Sequence, residues 1–261
     1  MKVEEINQRA PSLAKKAVAL GLPGECPSRF VFLTISGAHL YGFPSPDSDL
    51  DLRGAHVLPL ETIIGLTTYS DTYEHMGGEI DGIELDCVSH DIGKYLRLLT
   101  RKNGYVLEQI FSPLVVIDGE LPRLRELAQG AISKHVAHHY RGFFRNQEHL
   151  LMKEEKPRAK TMLYLFRVVM TGIHLLKTGE VEANLRTLNQ TFKRAFIDEL
   201  IDRKMAGAEK GTLEIAERDR LLVEAKALET ELEVAAETSP LPDDVPNMRE
   251  LNEFLIGLRR R

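Results

Sequence analysis

The fold is decided by the stretch Ile35-Ser-Gly-Ala-His-Leu-Tyr-Gly-Phe-Pro-Ser-Pro-Asp-Ser-Asp-Leu-Asp-Leu-Arg-Gly54. Immediately upstream, residues 29–36 form a run of β-branched, aromatic and other apolar side chains, which is typical of a buried strand. Glycines bound a short element in the quoted stretch, and proline and serine separate it from an alternating Asp–Leu pattern. The chain therefore passes from a buried strand through a turn into a second strand, which we place at residues 49–57.

The second strand presents two carboxylates side by side. Since residues i and i+2 point to one face of a strand, Asp49 and Asp51 share a face while Leu50 and Leu52 point into the core. Paired like charges are costly unless something positive binds them, and oxygen ligands at this spacing suit Mg²⁺. Two such ions about 4 Å apart can hold an attacking and a leaving oxygen in line. The pattern therefore predicts a third acid on another strand.

That acid is expected on a third strand at residues 82–88. Glu84 and Asp86 stand at i and i+2 there, so both can face the same way. Residues 67–75 are a candidate for an extra strand, and Ser89 is expected to cap a helix that ends near residue 101. Strands and helices alternate in this part of the chain, which predicts a mixed or largely parallel sheet.

The second half of the chain is predicted to be helical, and a first helix is predicted at residues 3–21. The later helices are expected at 121–134, 135–153, 158–178, 190–206, 213–237 and 248–260. We therefore expect an α+β fold with a mixed-sheet domain at residues 1–120 and an all-helical domain at residues 121–261. The apolar side of 213–237 favours packing within its own domain, with a coiled-coil dimer as the alternative, so the oligomeric state stays open.

Composition excludes several classes of protein. The 261 residues are 43% hydrophobic and 28% charged, which is ordinary for a globular protein and excludes a disordered or fibrous chain. No window approaches the roughly 18 apolar residues needed to span a bilayer, and the N-terminus lacks a signal-peptide core. These features predict a cytoplasmic protein with no membrane partner. Cys26 and Cys87 lack disulfide or metal spacing and are expected to fill apolar space.

Charge is distributed unevenly along the chain. Residues 1–120 hold 10 Lys and Arg against 17 Asp and Glu, whereas the remainder holds 24 against 22. An acidic site beside a basic surface suits a metal-dependent enzyme that acts on a phosphate-rich ligand. The alternative is that helices simply carry such charges on solvated faces. The same alternative applies to His135, His138 and His139, whose helical spacing would otherwise suit a metal.

These motifs resemble the DNA polymerase β-like nucleotidyltransferase superfamily. The glycine turn at Gly37, the pair Asp49-x-Asp51 and the later Asp86 match its glycine-turn, Asp-x-Asp and third-acid signature. A bacterial and phage branch of predicted nucleotidyltransferases, some linked to RNA repair, is similar over longer runs. Those runs are residues 36–42, 46–54 and 86–95, Asn103, Leu107-Glu108 and Lys160-x(3)-Tyr164-x(2)-Arg167. The resemblance is specific over about residues 30–115, moderate to about 180 and absent beyond.

The resemblance implies transfer of a nucleoside monophosphate from a nucleoside triphosphate, such as ATP, to a hydroxyl with release of pyrophosphate. Residues 1–120 would be the catalytic domain, and the helical domain would help to close the nucleotide cleft. Asp49 and Asp51 would carry the triphosphate-bound Mg²⁺ or Mn²⁺ and help to hold a second ion. Asp86, with Glu84 as the other candidate, would ligate the second ion and lower the pKa of the acceptor hydroxyl.

The glycine turn is expected to bind the phosphates, but it departs from the family pattern. Gly37 would let the backbone approach the phosphates, with neighbouring amides as donors. The family commonly has Gly-Ser where this chain has Gly37-Ala38, so a phosphate-binding hydroxyl is missing unless Ser36 substitutes. Such a charge-assisted hydrogen bond is worth about 1.5 to 3 kcal/mol, so we expect weakened nucleotide binding rather than inactivity.

Further candidates for nucleotide contacts lie in the glycine turn, in the second strand and in the helical half of the chain. His39 and Tyr41 either touch the nucleotide, Tyr41 by stacking on the base, or only shape the turn. Arg53 is either a substrate ligand or a structural counter-charge. Three residues of the helix predicted at 158–178 share one helical face, and that face could bind a triphosphate or a nucleic-acid backbone. Its members are Lys160, Tyr164 and Arg167.

The acceptor is the least determined part of the prediction. The basic stretch favours RNA 3′ ends or tRNA. One alternative is a nucleotidyltransferase that modifies a protein or a small molecule, as in toxin–antitoxin systems. Another is a non-catalytic module that binds a nucleotide or RNA, for which Ala38 is the argument.

Overall fold

The computed structural model describes the chain except for residues 1–2, 21, 23–25, 28, 46–47, 81–82, 208–210 and 246. The chain forms two compact units. The sheet unit consists of residues 1–40, 47–132 and 244–261, and the helical unit consists of residues 41–46 and 133–243.

Five strands are present in the described part of the chain, and all of them join one sheet. They are β1 (Phe30–Ile35), β2 (Leu50–His56), β3 (Thr72–Ile80), β4 (Ile83–Asp91) and β5 (Val115–Ile117). The helices are α1 (Val3–Leu20), α2 (Gly37–Leu40), α3 (Leu60–Ile64), α4 (Ile92–Thr100), α5 (Gly104–Phe111), α6 (Leu121–Gln129), α7 (Ala137–Lys153), α8 (Ala159–Thr178), α9 (Leu185–Phe192), α10 (Ala195–Met205), α11 (Ile215–Glu237) and α12 (Met248–Arg259).

The sheet is mixed, with strand order β3-β4-β2-β1-β5. Strands β2 and β4 run parallel, whereas β1 pairs antiparallel with β2 and β5, and β3 pairs antiparallel with β4. The parallel pair has the crossover connection that such pairs require, here α3 and β3 between β2 and β4. The expected α+β class with a mixed sheet and a helical C-terminal part is confirmed.

One face of the sheet packs against α1 because the strands alternate apolar with polar residues. In β2, Leu50 and Leu52 are buried, whereas Asp51 and Arg53, which alternate with these leucines, are half-buried. The leucines join a core with other apolar side chains of the sheet and with small residues of α1. That core includes Ala10, Ala14, Leu33, Ile35, Leu85 and Cys87. The polar positions of β2 consequently point to the opposite face.

The opposite face carries α4 and α5. Tyr95 of α4 is fully buried, packs edge-on against Phe32 of β1 and donates its hydroxyl hydrogen bond to the Val106 carbonyl of α5. The N-cap of α4 is Asp91, whose carboxylate accepts from the Gly93 amide, and not Ser89 as the sequence pattern predicted.

The C-terminal helix α12 belongs to the sheet unit. Its Arg259 donates to the Leu58 carbonyl at 3.0 Å and to the Asp91 carboxylate at 2.5 Å, and Arg29 donates to the Leu258 carbonyl. The carboxylate of Asp91 is 6% exposed, so this ion pair is largely desolvated. Residues 244–261 therefore complete the unit that residues 1–132 begin.

The helical unit is built around α8. Nearly every apolar side chain of this helix is buried, and Gly172 permits close packing because a Cβ there would lie 2.8 Å from Tyr140 of α7. Among the described residues, α8 is also the helix long and apolar enough to cross a membrane, but 83% of that window is buried inside the protein. Such burial is typical of the core helix of a soluble domain.

Other local predictions also differ from the structure. The extra strand, expected at 67–75, is β3 at Thr72–Ile80, and β5 was not predicted because three residues carry too little periodicity. The helix expected at 190–206 is two helices, α9 and α10. Lys193 adopts a left-handed conformation with φ of 53°, which ends α9.

Candidate active site

Two of the predicted acids lie directly opposite each other in the sheet. Asp51 of β2 and Asp86 of β4 are Cα partners in the parallel ladder, so their side chains leave the same face of neighbouring strands. Strands in a sheet are about 4.8 Å apart, which brings the two carboxylates to one place. Two acids 35 positions apart in the chain thus form a pair of adjacent like charges.

The glycine turn touches one of these acids. Gly37 begins α2 with φ of 61°, and a Cβ placed on it would lie 1.9 Å from Oδ2 of Asp51. The amide of the preceding Ser36 donates to the Asp51 carbonyl at 2.8 Å. Glycine is required here both by the backbone conformation and by the space that the carboxylate occupies.

Arg53 neutralises the acid pair from the same face. Its Nη2 donates to Oδ1 of Asp51 at 2.7 Å, and its side chain is 14% exposed. Burial by itself would lower the pKa of Arg53, but Tyr105, Asp51 and Asp86 raise it, and the net pKa lies above its ordinary value. The guanidinium therefore stays charged and forms an ion pair with the Asp51 carboxylate.

The other predicted acids have different surroundings. Oδ1 of Asp86 accepts from the Gly77 amide at 3.0 Å, at an irregularity in β3 where Gly77 has φ of 76°. Glu84 is exposed and lies opposite Glu79 in β3. Asp49 is exposed and comes just before β2 begins. Of the two candidates for the third acid, Asp86 is therefore the one paired with Asp51.

The donor set fits a cation that is only partly ligated by protein. In the part of the chain that the structure describes, no group of three or more His, Cys, Asp or Glu side chains is gathered closely enough to hold a metal ion. Asp49, Asp51 and Asp86 thus do not form a closed three-carboxylate site. Mg²⁺ does not need one, because it commonly takes one or two protein carboxylates and completes its shell with water and substrate phosphates. Asp51 and Asp86 fit that description.

The residues of the glycine turn are buried. Ser36 and His39 are 0% and 3% exposed, and Ala38 is 9% exposed. The Ser36 hydroxyl makes no hydrogen bond to any described group. It is therefore a buried hydroxyl without a hydrogen-bond partner among the described residues, two positions before the residue where the family commonly has serine.

The helical unit separates the residues that the sequence placed on one face of α8. Lys160 is exposed near the start of the helix, whereas Arg167 is fully buried. The Arg167 guanidinium stacks 3.9 Å from the centre of the Tyr41 ring. Tyr164 meets Tyr41 and Phe43 edge-on, at ring distances of 5.5 and 5.6 Å. Tyr41 thus belongs to an aromatic cluster with a buried arginine.

The three histidines lie in a short 3-10 helix (Lys134–Val136) and at the start of α7, and among the described residues they form no group that could hold a metal ion. His135 and His138 stack at a ring distance of 5.9 Å, with His138 exposed. Burial, and then the positive charge of Arg167, lower the pKa of His139 to about 4, so it is neutral at pH 7. His139 instead packs against Tyr140 and Phe143.

Comparison with known proteins agrees with the sheet geometry. The sequence model of the RNA repair pathway DNA polymerase beta family, RlaP, matches residues 3–257. The chain belongs to this family. The expected superfamily is confirmed, and the match extends well beyond the segment where the sequence motifs carried the resemblance. The description of the family names a DNA polymerase β family and an RNA repair pathway, which points to the nucleotidyltransferase class.

Two curated relatives are similar to this RlaP family member. Uncharacterized protein MJ0002 of Methanocaldococcus jannaschii is 35% identical over 155 residues, which cover 59% of this chain and 63% of that protein. Uncharacterized protein YcgL of Bacillus subtilis strain 168 is 25% identical over 240 residues, which cover 88% of this chain and 89% of that protein. The chain thus spans less than two thirds of the first relative and most of the second.

Two residues of the candidate active site were not predicted from the sequence. Tyr105 lies near the start of α5 and interacts with Arg53, and Gly77 donates its amide to Asp86. The Asn103 side chain accepts from the Tyr105 amide at 2.9 Å and so caps α5. An Asn followed by Gly-Tyr is a recognisable helix start, but its distance in sequence from β2 hides the contact with Arg53.

A cavity of about 420 Å³ lies in the helical unit. It opens between α7 and α11 and is lined by Arg145, Glu148, His149, Met152, Lys226 and Glu229. Its charges are mutually satisfied, since Arg145 and Lys226 both bind Glu229 and Lys226 also binds Glu148. These pairs connect α7 and α11.

Proposed function

We propose that this protein is a metal-dependent nucleotidyltransferase that transfers a nucleoside monophosphate from a nucleoside triphosphate to a hydroxyl of RNA, at a 3′ end or on tRNA. One observation carries the proposal: Asp51 and Asp86 are direct partners on parallel strands, with Gly37 against the Asp51 carboxylate. Carboxylates on adjacent strands beside a glycine turn suit two-metal transfer to a phosphorus centre. Membership of the RlaP family supports the same reaction class.

The reaction exchanges one P–O bond for another. The acceptor oxygen forms a bond to the α-phosphorus, the bond from that phosphorus to the β-phosphate oxygen breaks, and pyrophosphate leaves. Bound Mg²⁺ or Mn²⁺ would supply charge neutralisation and would activate the acceptor hydroxyl. Asp49 and Asp51 would hold the ion on the triphosphate side, and Asp86 would hold the ion on the acceptor side.

The chain's own residues would prepare this site. Arg53 forms an ion pair with the Asp51 carboxylate, and the Gly77 amide donates to Oδ1 of Asp86. Gly37, which lacks a side chain, leaves the backbone open to a triphosphate. The Ser36 hydroxyl is the group that we expect to contact a phosphate oxygen in place of the absent Ser at position 38. Because Asp51 and Asp86 each have a hydrogen-bond partner that holds the carboxylate, less reorganisation is needed during transfer.

RNA is the proposed acceptor for two reasons. The family name links RlaP proteins to RNA repair. Residues 130–175 also hold eight basic residues against three acidic ones, which favours a phosphate-rich partner. Lys153, Lys156 and Lys160 of this stretch are exposed and so available to a nucleic-acid backbone.

A labelling experiment tests the proposal. The protein is incubated with Mg²⁺ or Mn²⁺, each α-labelled nucleoside triphosphate, and a mixed pool of RNA and protein. We expect label on RNA. Label on protein would replace the RNA proposal with protein modification, and tight nucleotide binding without any label would indicate a non-catalytic module.

Variants of the acids test the site itself. Asp49→Ala with Asp51→Ala should abolish transfer while circular dichroism stays unchanged, and persistent transfer would reject the site. Asp86→Asn should also abolish transfer, whereas Glu84→Gln should retain it, because Glu84 is exposed and lies opposite Glu79. The reverse pattern would make Glu84 the third acid.

A further inference from the structure

Arg53 crosslinks the two acid-bearing strands at the level of the acids. Besides the bond from Nη2 to the Asp51 carboxylate, its Nη1 donates to the Leu52 carbonyl of β2 at 2.9 Å. The same Nη1 donates to the Asp86 carbonyl of β4 at 3.2 Å. One guanidinium thus contacts the carboxylate of one acid and the backbone of the other.

Tyr105 supports this guanidinium from a different element. Its side chain lies beside the guanidinium and is the first of the neighbours that raise the pKa of Arg53, and the Asn103 cap holds Tyr105 at the start of α5. The side chain of Arg53 is also largely buried, so its position is determined from several sides. A planar guanidinium with several fixed donors is well suited to such a role, whereas a lysine ammonium is not.

The same contacts weigh against Arg53 as a nucleotide ligand. Both terminal nitrogens already donate to groups of β2 and β4. Moving the guanidinium onto a phosphate would release Asp51 and the Asp86 backbone together, at the moment when both acids must be in place. Charge-assisted hydrogen bonds of this kind contribute most when their geometry is kept.

We infer that Arg53, with the Tyr105 side chain beside it, is a positioning residue: its hydrogen bonds set the rotamer of Asp51 and hold β2 against β4 at the level of Asp86 for cation binding. The inference rests on the proposed function, since it assigns these residues to the same acid pair. It places Arg53 outside the set of nucleotide ligands.

Two variants that conserve charge test this role. Arg53→Lys keeps the positive charge and loses the planar donors, and Tyr105→Phe keeps Arg53 and removes only the hydroxyl. Arg101→Gln is the matched control, because Arg101 is an exposed cation at the end of α4. Binding of Mn²⁺ alone is measured by electron paramagnetic resonance, and kcat and the KM for the nucleotide are measured separately.

Both test variants should weaken Mn²⁺ binding and lower kcat by about tenfold, with the nucleotide KM within twofold of wild type. The control should match wild type. A raised nucleotide KM in Arg53→Lys, with Mn²⁺ binding unchanged, would make Arg53 a nucleotide ligand and overturn the inference. Unchanged Mn²⁺ binding and kcat in both variants would also overturn it.

The Mn²⁺ measurement separates this inference from the proposed function. If wild type binds Mn²⁺ but transfers no nucleotide, the proposed reaction fails, while weaker Mn²⁺ binding in Arg53→Lys and Tyr105→Phe still supports the positioning role. If wild type binds no Mn²⁺ at all, both the proposed function and the positioning role are wrong.

Discussion

Replacing Gly37 with alanine should disrupt the candidate site, because Gly37 lies against the Asp51 carboxylate. The new Cβ would lie 1.9 Å from Oδ2 and 2.8 Å from Cγ of Asp51. Contacts this short cannot persist, so the carboxylate or the turn must move. The Asp51 carboxylate cannot move far without breaking its 2.7 Å bond to Arg53.

The magnitude follows from two contributions. The left-handed conformation of residue 37 costs an alanine about 1 to 2 kcal/mol. Loss of a charge-assisted hydrogen bond at Asp51 costs about 1.5 to 3 kcal/mol. We therefore expect Gly37→Ala to lower the free energy of unfolding of the sheet unit by about 2.5 to 5 kcal/mol, and to weaken Mn²⁺ binding as well.

Urea denaturation followed by circular dichroism measures this change. Gly257→Ala is the control, because Gly257 lies in α12 of the same unit and a Cβ there meets nothing within 4 Å. That variant should be stabilised by up to about 1 kcal/mol, since alanine is the better helix former. If Gly37→Ala unfolded at the wild-type urea concentration and bound Mn²⁺ as wild type does, the contact between the turn and Asp51 would be wrong.

Three further predictions concern the sheet unit. Burial lowers the pKa of His56 to about 4, below its unfolded value of about 6.5, so the unfolded state takes up the proton first as the pH falls. The free energy of unfolding should therefore fall by about 2 kcal/mol between pH 8 and 5. In urea melts at a series of pH values, His56→Asn should remove that part of the pH dependence. Arg259→Ala leaves the buried Asp91 carboxylate without its cation and should lower the free energy of unfolding by about 3 kcal/mol. The more exposed pair of Arg261 with Glu120 should contribute under about 1 kcal/mol. Equal melting temperatures for Arg259→Ala and Arg261→Ala would contradict this prediction. Burial raises the pKa of the fully buried Cys87 to about 12, so a thiol reagent at pH 8 should leave it unmodified in the native protein and modify it once urea unfolds the chain.

Much of the sheet could be predicted because its signals are local. The alternation through Asp51 and Leu52 assigns opposite faces to neighbouring residues wherever a strand forms, so the split between core and site needs no knowledge of the rest of the chain. The apolar spacing of α8 likewise identifies a helix from its own residues. Ser89 was predicted as the cap, but Asp91 has that role because β4 continues to Asp91, three residues beyond the predicted end of the strand at residue 88.

By itself, then, the sequence determined the α+β class, the acid-bearing strands and the family resemblance, since each depends on residues close together in the chain. Only the tertiary structure decided which acid lies opposite Asp51, that Tyr105 supports Arg53, and that Arg167 is buried beneath Tyr41 rather than exposed with Lys160. It also decided that α12 completes the sheet unit. Strand register and burial depend on contacts between segments far apart in sequence, and no periodicity within one segment specifies which distant segment it will meet.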